Sequence, residues 1–419
     1  MSCLISPELL APAGDLERLK IAVLYGADAV YIGGEAYGLR AKAKNFNLKQ
    51  MEEGIIFAHE RGVKIYVTAN IFAHNSDFNG MGEYFKEIEK IGADALIISD
   101  PGVFSLARKT VPGMEIHIST QANNTNYISA AFWYSLGAKR IVVARELSMG
   151  EIHEIRENIP KDMDIEAFVH GAMCISYSGR CLLSNYLTER DANKGECSHP
   201  CRWKYNLVEE TRPGEYMPVF EDERGTYIYN SKDLCMIHHV PELIDAGVAS
   251  FKIEGRMKTP FYVGTVVKAY REAIDDYFAD PKLYESKKEH YIEEVSKASH
   301  REFTTAFYFG KPSGKEQIYT NNAYIRGYDF IGVVYEDYDE ASGTAIVMQR
   351  NKFETGDKIE VMPAKGKAYE MTVKKMWNED GEEISSAPHP QQIIKMLFDK
   401  PVRKFDILRK KSSGGFVLE

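Results

Sequence analysis

No stretch of this 419-residue chain reaches the ~18–20 apolar residues that spanning a bilayer requires. Met1 to Pro12 lacks a basic run followed by an apolar one, the pattern of a secretory leader. A soluble, cytoplasmic protein with no membrane partner is the expectation. The formal charge of -9 excludes a general nucleic-acid coat protein while leaving room for a local basic groove. Three catalytic signatures are also missing. There is no Gly-x-Ser-x-Gly elbow and no Gly-x-Gly-x-x-Gly turn after the first strand, and His153-Glu154-Ile155-Arg156-Glu157 ends in the wrong residue for a zinc-peptidase helix. Cysteine is scarce outside one stretch: Cys3 stands alone, and Cys174, Cys181, Cys197, Cys201 and Cys235 crowd together. A chain this long has ample core without staples, so those thiols are not needed for folding.

What is present is a repeat. A helix-ending glycine followed by a short apolar strand occurs at Gly26–Ile32, Gly62–Val67, Gly92–Ile98, Gly137–Val143 and Gly247–Ile253. Glu8–Leu10, Glu115–Ile118 and Asp164–Val169 carry similar β-rich runs, giving eight candidate strands. The short, nearly continuous apolar runs suit parallel strands buried on both faces. Asp15–Tyr25, Leu48–Arg61 and Tyr84–Ile91 read as the intervening helices. The fold class expected is therefore α/β, a (β/α)8 TIM-like barrel, with an open doubly wound sheet as the alternative.

Successive phrase glycines lie 36, 30 and 45 residues apart, but Gly137 and Gly247 are 110 apart. The excess is a cysteine-rich insertion after strand seven, residues 171–241 of a barrel spanning 1–280. It leaves from the carboxyl end of a strand, where barrels of this type carry their chemistry. Residues 281–323 read as a charged connector. From 324 to 419 the texture becomes alternating, as in Phe330–Val334, Thr344–Val347 and Asp357–Val361, which predicts a small all-β barrel. Its basic tail, Lys400–Lys411, reads first as a solvated face, with nucleic-acid contact as the sharper alternative.

The cysteine spacing, C-x6-C-x15-C-x3-C with Cys235 after 33 intervening residues, matches no zinc-finger signature. Buried thiols acting as small hydrophobes are the plain alternative, but Ser, Gly, Arg, Asn and Asp surround them. Zinc and an iron–sulfur cluster both take four thiolates, and spacing leaves the choice open. Arg180 and Arg202, each beside a cysteine, would offset thiolate charge or hold an anionic substrate.

The runs His170-Gly171-Ala172-Met173-Cys174, Tyr177-Ser178-Gly179-Arg180-Cys181, Gly195–Trp203, Asn230-Ser231-Lys232-Asp233-Leu234 and Lys252-Ile253-Glu254-Gly255-Arg256 resemble the collagenase-like peptidase family, class U, number thirty-two. Glu8–Gly14, Gly33-Gly34 and Arg40–Phe46 resemble it too. Within the family the chain is most similar to the prephenate-dependent tRNA uridine 5-hydroxylation proteins. That resemblance implies a 4Fe-4S cluster on Cys174, Cys181, Cys197 and Cys235, with Cys201 as the alternative fourth ligand. It implies prephenate as co-substrate, a tRNA anticodon loop as substrate and a paralogous family member as a further partner. Related activities, on another RNA or a quinone ring, are alternatives. So is the proteolysis of the family name, for which Cys174 and His170 would be the conceivable pair.

Barrel logic sets Arg40, Lys42 and Lys44 after strand two, and Lys252, Arg256 and Lys258 around strand eight, as groups for carboxylates or phosphates. Glu35, Asn70, Asp100, Gln121, Glu146 and His170 end strands and are expected to line the pocket. Among these, His170 and Glu35, with Arg180, are candidates for the chemical step, and Asn70 and Gln121 for substrate binding. Tyr177 could stack a splayed base, as could Trp203. A non-catalytic RNA-binding protein would keep the basic mouth without needing a redox-active cluster.

Overall fold

The computed structural model describes residues 6–38, 45–173, 188, 198, 206–207, 217–218, 230–310, 317–318 and 324–412. Eight parallel strands form its centre: β1 (Glu8–Pro12), β2 (Ala29–Gly33), β3 (Lys64–Ala69), β4 (Ala95–Ile98), β5 (Glu115–Ile118), β6 (Arg140–Val142), β7 (Asp164–Ala172) and β8 (Ser250–Ile253). Each pairs with the next, and β8 pairs with both β7 and β1, which closes the barrel. The five phrase glycines all adopt positive φ, between 73° and 109°, the left-handed conformation that ends a helix and that side chains resist.

The helices begin where short polar side chains can accept orphan backbone N–H groups. α1 (Leu16–Leu24) is capped by Asp15, α2 (Leu48–His59) by an Asn47–Gln50 capping box, and α4 (Pro101–Thr110) by Asp100. Asn126 and a Ser148–Glu151 box do the same for α5 (Tyr127–Ser135) and α6 (Met149–Asn158). α3 (Met81–Lys90) starts at a left-handed Gly80 instead. α7 (Val240–Asp245) and α8 (Pro260–Ala279), the latter capped by Thr259, finish the outer ring. Asp100 is thus accounted for by capping: its carboxylate accepts from the N–H groups of Gly102 and Val103.

Two cores result. The larger lies between the strands and the helices. The smaller, inside the barrel, comprises Leu10, Ala29, Tyr31, Tyr66, Ala95 and Ile97. The connector is not a solvated strap: α9 (Pro281–Ser286) and α10 (Lys288–Lys297) bury Tyr284, Tyr291 and Val295 completely.

The C-terminal part is built on an antiparallel half-barrel sheet of eight strands, beside which Phe353–Glu354 pairs with Ser386–Ala387. In chain order the strands of the sheet are β9 (Tyr328–Asp339), β10 (Thr344–Gln349), β11 (Lys358–Met362), β12 (Tyr369–Thr372), β13 (Met376–Trp377), β14 (Glu383–Ile384), β15 (Ile393–Leu397) and β16 (Ile407–Lys411). Their order across the sheet is β12-β11-β16-β9-β10-β15-β13-β14, around a core of its own. The sheet is keyed to the main barrel. Tyr25 at the end of α1 donates to the Met362 carbonyl at 2.7 Å and accepts from the Ile407 N–H at 3.2 Å. Arg409, in the basic tail, is fully buried and pairs with Glu294 and Glu360. That residue of the tail is therefore a structural ion, not a solvated charge.

Candidate active site at the barrel mouth

Period-two alternation aims every second residue of a barrel strand inward. At the amino end this gathers charges. Arg140, first residue of β6, reaches Glu8 at 2.5 Å, Asp164 at 3.1 Å and Glu166 at 3.2 Å. Tyr66 and Ser250 donate to Glu8, at 2.6 and 2.9 Å. Lys252 lies one layer up, its ammonium 2.6 Å from Glu166 and 4.5 Å from the Tyr31 ring centre. Burial alone would raise the Glu166 carboxyl; Lys252 and Arg140 reverse this and hold it below its ordinary range. Lys252, expected at the mouth, is therefore committed inside the barrel. The reason is register: Ser250 and Lys252 point in, and the strand still runs to Ile253.

The carboxyl end is different in character. Thr68, Ser99, Ser119, Gln121, Asn124 and Arg256 are all buried there. Asn70 donates to the Ser119 hydroxyl at 3.3 Å and receives, at its carbonyl, the Ser99 hydroxyl at 2.9 Å. Arg256 follows β8, and its guanidinium donates to Thr68 at 3.1 Å and to Asn45 at 3.3 Å. It lies across Gly33, where a Cβ would come within 2.4 Å of Nη1. At Gly14 a Cβ would meet the Arg256 carbonyl at 2.2 Å. Two glycines thus make the niche that seats one arginine at the mouth. Arg145 stacks 3.9 Å over Phe168, donates to the Ala172 carbonyl at 3.0 Å and sits 3.6 Å from Glu254, bracing the end of β7. Glu35 is exposed, and burial raises the carboxyl of Glu146.

His170 does not join this group. An unbroken β7 would aim it inward with Glu166 and Phe168. The pairing with β8 shifts register between Lys252 and Ile253, next to a left-handed Gly171. The imidazole instead meets the outer layer: Tyr270 at 5.5 Å, Phe303 at 5.6 Å and Tyr262 at 6.0 Å between ring centres. Burial, with smaller pushes from His300 and Lys258, takes its pKa down to about 3. Opposite it, on the short strand Asp233–Cys235 that pairs antiparallel with β7, stands Cys235. Burial pushes that thiol up to about 12, and Tyr270 lies against it.

The sequence description "Peptidase family U32" matches residues 14–318, and "Peptidase family U32 C-terminal domain" matches 326–409. The chain belongs to peptidase family U32. Over 404 residues it is 44% identical to a Bacillus subtilis (strain 168) U32 relative named as a tRNA hydroxylation protein, covering 96% of this chain and 94% of that one. An Escherichia coli (strain K12) tRNA hydroxylation protein is 40% identical, covering 92% of each. A 23S rRNA 5-hydroxycytidine synthase of the same strain is 40% identical over 64% of this chain and 39% of its own length.

For this U32 chain the structure places Arg256, Asn70 and Gln121 at the mouth, Lys252 inside the barrel, and His170 and Cys235 against the outer layer. Arg40, Lys42, Lys44, Tyr177, Arg180, Arg202, Cys174, Cys181, Cys197 and Cys201 lie outside the described residues. Of the thiols that an iron–sulfur cluster would need, Cys235 is the one within the described residues, in register with His170. A thiol at that position must lose its proton on binding. Sequence reasoning passed over Thr68, Ser119, Asn124 and Arg145. The available signal was their position at or after the carboxyl ends of apolar strands: Thr68 within β3, Ser119 directly after β5, Asn124 six residues after it and Arg145 three residues after β6.

Proposed function

We propose that this chain hydroxylates RNA, converting the wobble uridine of a tRNA anticodon loop into 5-hydroxyuridine with prephenate as co-substrate. The observation that carries the reading is the likeness, across both domains, to relatives named as tRNA hydroxylation proteins. The mouth supports it chemically. Arg256 is a guanidinium positioned by Thr68 and Asn45 at the mouth, suited to a carboxylate such as prephenate carries. The hydroxyls and amides of Thr68, Asn70, Ser119 and Gln121 suit the edge of an uncharged base. Cys174, Cys181 and Cys197, with Cys235 or Cys201, would hold a 4Fe-4S cluster, which when bound supplies a redox-capable iron centre.

Proteolysis by His170 has no such support. The imidazole is 2% exposed and walled in by Tyr262, Tyr270 and Phe303, away from the mouth. The test is mass spectrometry of tRNA nucleosides from cells lacking this protein and any redundant enzyme. Loss of 5-hydroxyuridine, restored by the gene, is the expected result. Unchanged 5-hydroxyuridine sinks the reading, and loss of 5-hydroxycytidine alone would move the substrate to another RNA.

A further inference from the structure

One helix of the outer ring lacks the polar face that water favours. Of the described helices α1–α8, α5 alone carries no charged residue, and no Asp, Glu, Lys or Arg occurs from Ile116 to Ala138. Its inner side is buried: Ala130 and Trp133 pack into the core, and the Trp133 ring lies 5.4 Å from Phe104 of α4. Its outer side is apolar too. Ile128, Phe132 and Leu136 are 69%, 56% and 43% exposed, and their spacing of four sets them on one stripe that ends at the C-cap. The hydroxyls of Tyr134 and Ser135 are engaged, with Asp162 at 2.9 Å and the Phe132 carbonyl at 2.7 Å. A helix that is hydrophobic all round is one covered on both faces.

We infer that the α5 stripe is the contact through which two copies of this chain pair about a two-fold axis, an inference independent of the hydroxylase reading above. Charge decides the occupant. On one side of the stripe α4 ends in Arg108, which packs over Gly137, and in the exposed Lys109. On the other side α6 presents Glu154 and Glu157, both exposed, the latter 3.4 Å from His153. A two-fold axis parallel to α5 sets stripe on stripe and lays the basic edge of each chain against the acidic edge of the other. A patch bordered by opposite charges is thus its own complement, as an isologous contact requires. RNA gains nothing from an uncharged stripe with an acidic border. Three side chains cover only part of the ~800 Å² per partner of a standard interface, and the α4 and α6 edges supply the rest. Because the paired helices run the same way, both barrel mouths open on the same side of the dimer.

The test is analytical ultracentrifugation of the full-length chain from about 0.5 to about 100 µM, where a small interface should give a dimer with a Kd of roughly 1–10 µM. Phe132→Asp should weaken the dimer about a hundredfold, since the residue enters the contact twice by symmetry. Ile128→Glu, at the more exposed end of the stripe, is the second variant, and both should melt with the parent because both side chains are exposed. Lys109→Glu alone should weaken the dimer about threefold, and Lys109→Glu with Glu154→Lys in one chain should recover most of that loss. A parent that stays monomeric overturns the inference, whether or not another protein covers the stripe. So does a dimer that both stripe variants, still folded, leave intact. A double charge reversal no better than the single one overturns the edge-to-edge pairing and with it the choice of occupant.

Discussion

The two ends of the barrel use charge in opposite ways. At the amino end Glu8, Arg140, Asp164, Glu166 and Lys252 satisfy one another within 3.2 Å. At the carboxyl end Arg256 is held by a threonine and an asparagine over a glycine. Ions that neutralise each other fix a register and offer nothing to a ligand. Arg256 at the other end is positioned by a threonine hydroxyl and an asparagine amide oxygen, apart from the ion network of the amino end. The amino end therefore serves as scaffold and the mouth as the site, a division usual for this architecture.

The sharpest way to break the contrast is to remove a scaffold charge. Glu166→Gln should cost about 3–5 kcal/mol of unfolding free energy, because it strands the buried Lys252 ammonium, and denaturant melts would show it. An unchanged melt would mean that the network is not structural. At the mouth, Gly33→Ala should do the reverse. Gly33 needs no left-handed backbone, and the three atoms nearest the added methyl all belong to the Arg256 guanidinium. We expect a loss of roughly a hundredfold in 5-hydroxyuridine formation with little change in melting, as when one oriented donor is misplaced. A variant that unfolds instead would make Arg256 a scaffold ion like the others.

A smaller effect belongs to the joint with the C-terminal sheet. Tyr25→Phe leaves the Met362 carbonyl and Ile407 N–H without their shared buried hydroxyl. That should cost about 1–3 kcal/mol. If calorimetry then resolves two transitions where the parent shows one, the sheet and barrel unfold as separate units.

Much of this contrast was legible in the sequence. The repeated glycine-and-strand phrase placed five of the barrel strands to within a few residues, because a left-handed cap and an apolar run are local signals. The closed barrel followed from counting strands. The inward charges were not legible: Asp164–Val169 counts among the short apolar strands buried on both faces, and only closure shows that Glu166 faces the interior against Arg140 and Lys252. Nor was the fate of His170, since nothing in His170-Gly171 announces the register shift that swings the ring to the outer layer. Arg409 is the same lesson in the other domain. In a basic run it looks solvated, and Glu294 from a different segment makes it buried.

The subtlest test of a closed amino end is its response to acid. His117 is inside the barrel, 1% exposed, with its ring edge-on to Tyr66 at 4.7 Å. Burial lowers its pKa, Arg140 lowers it further, and Glu115 at 3.5 Å only partly offsets this. Unfolded, the imidazole takes up a proton near pH 6.5; folded, it does so only at lower pH. Between those two values the unfolded chain binds a proton that the folded chain does not, so stability falls as pH drops through that window and is flat above it. His117→Phe keeps the ring and removes the proton site. Between pH 7 and 6 the variant should therefore lose on the order of 1 kcal/mol less stability than the parent. His170 and His300, whose pKa values burial also lowers, are present in both chains, so the difference between parent and variant isolates the one ring. Should the two chains lose stability in parallel, the imidazole must be charged in the folded state against Glu115, and the amino end would be open to water after all.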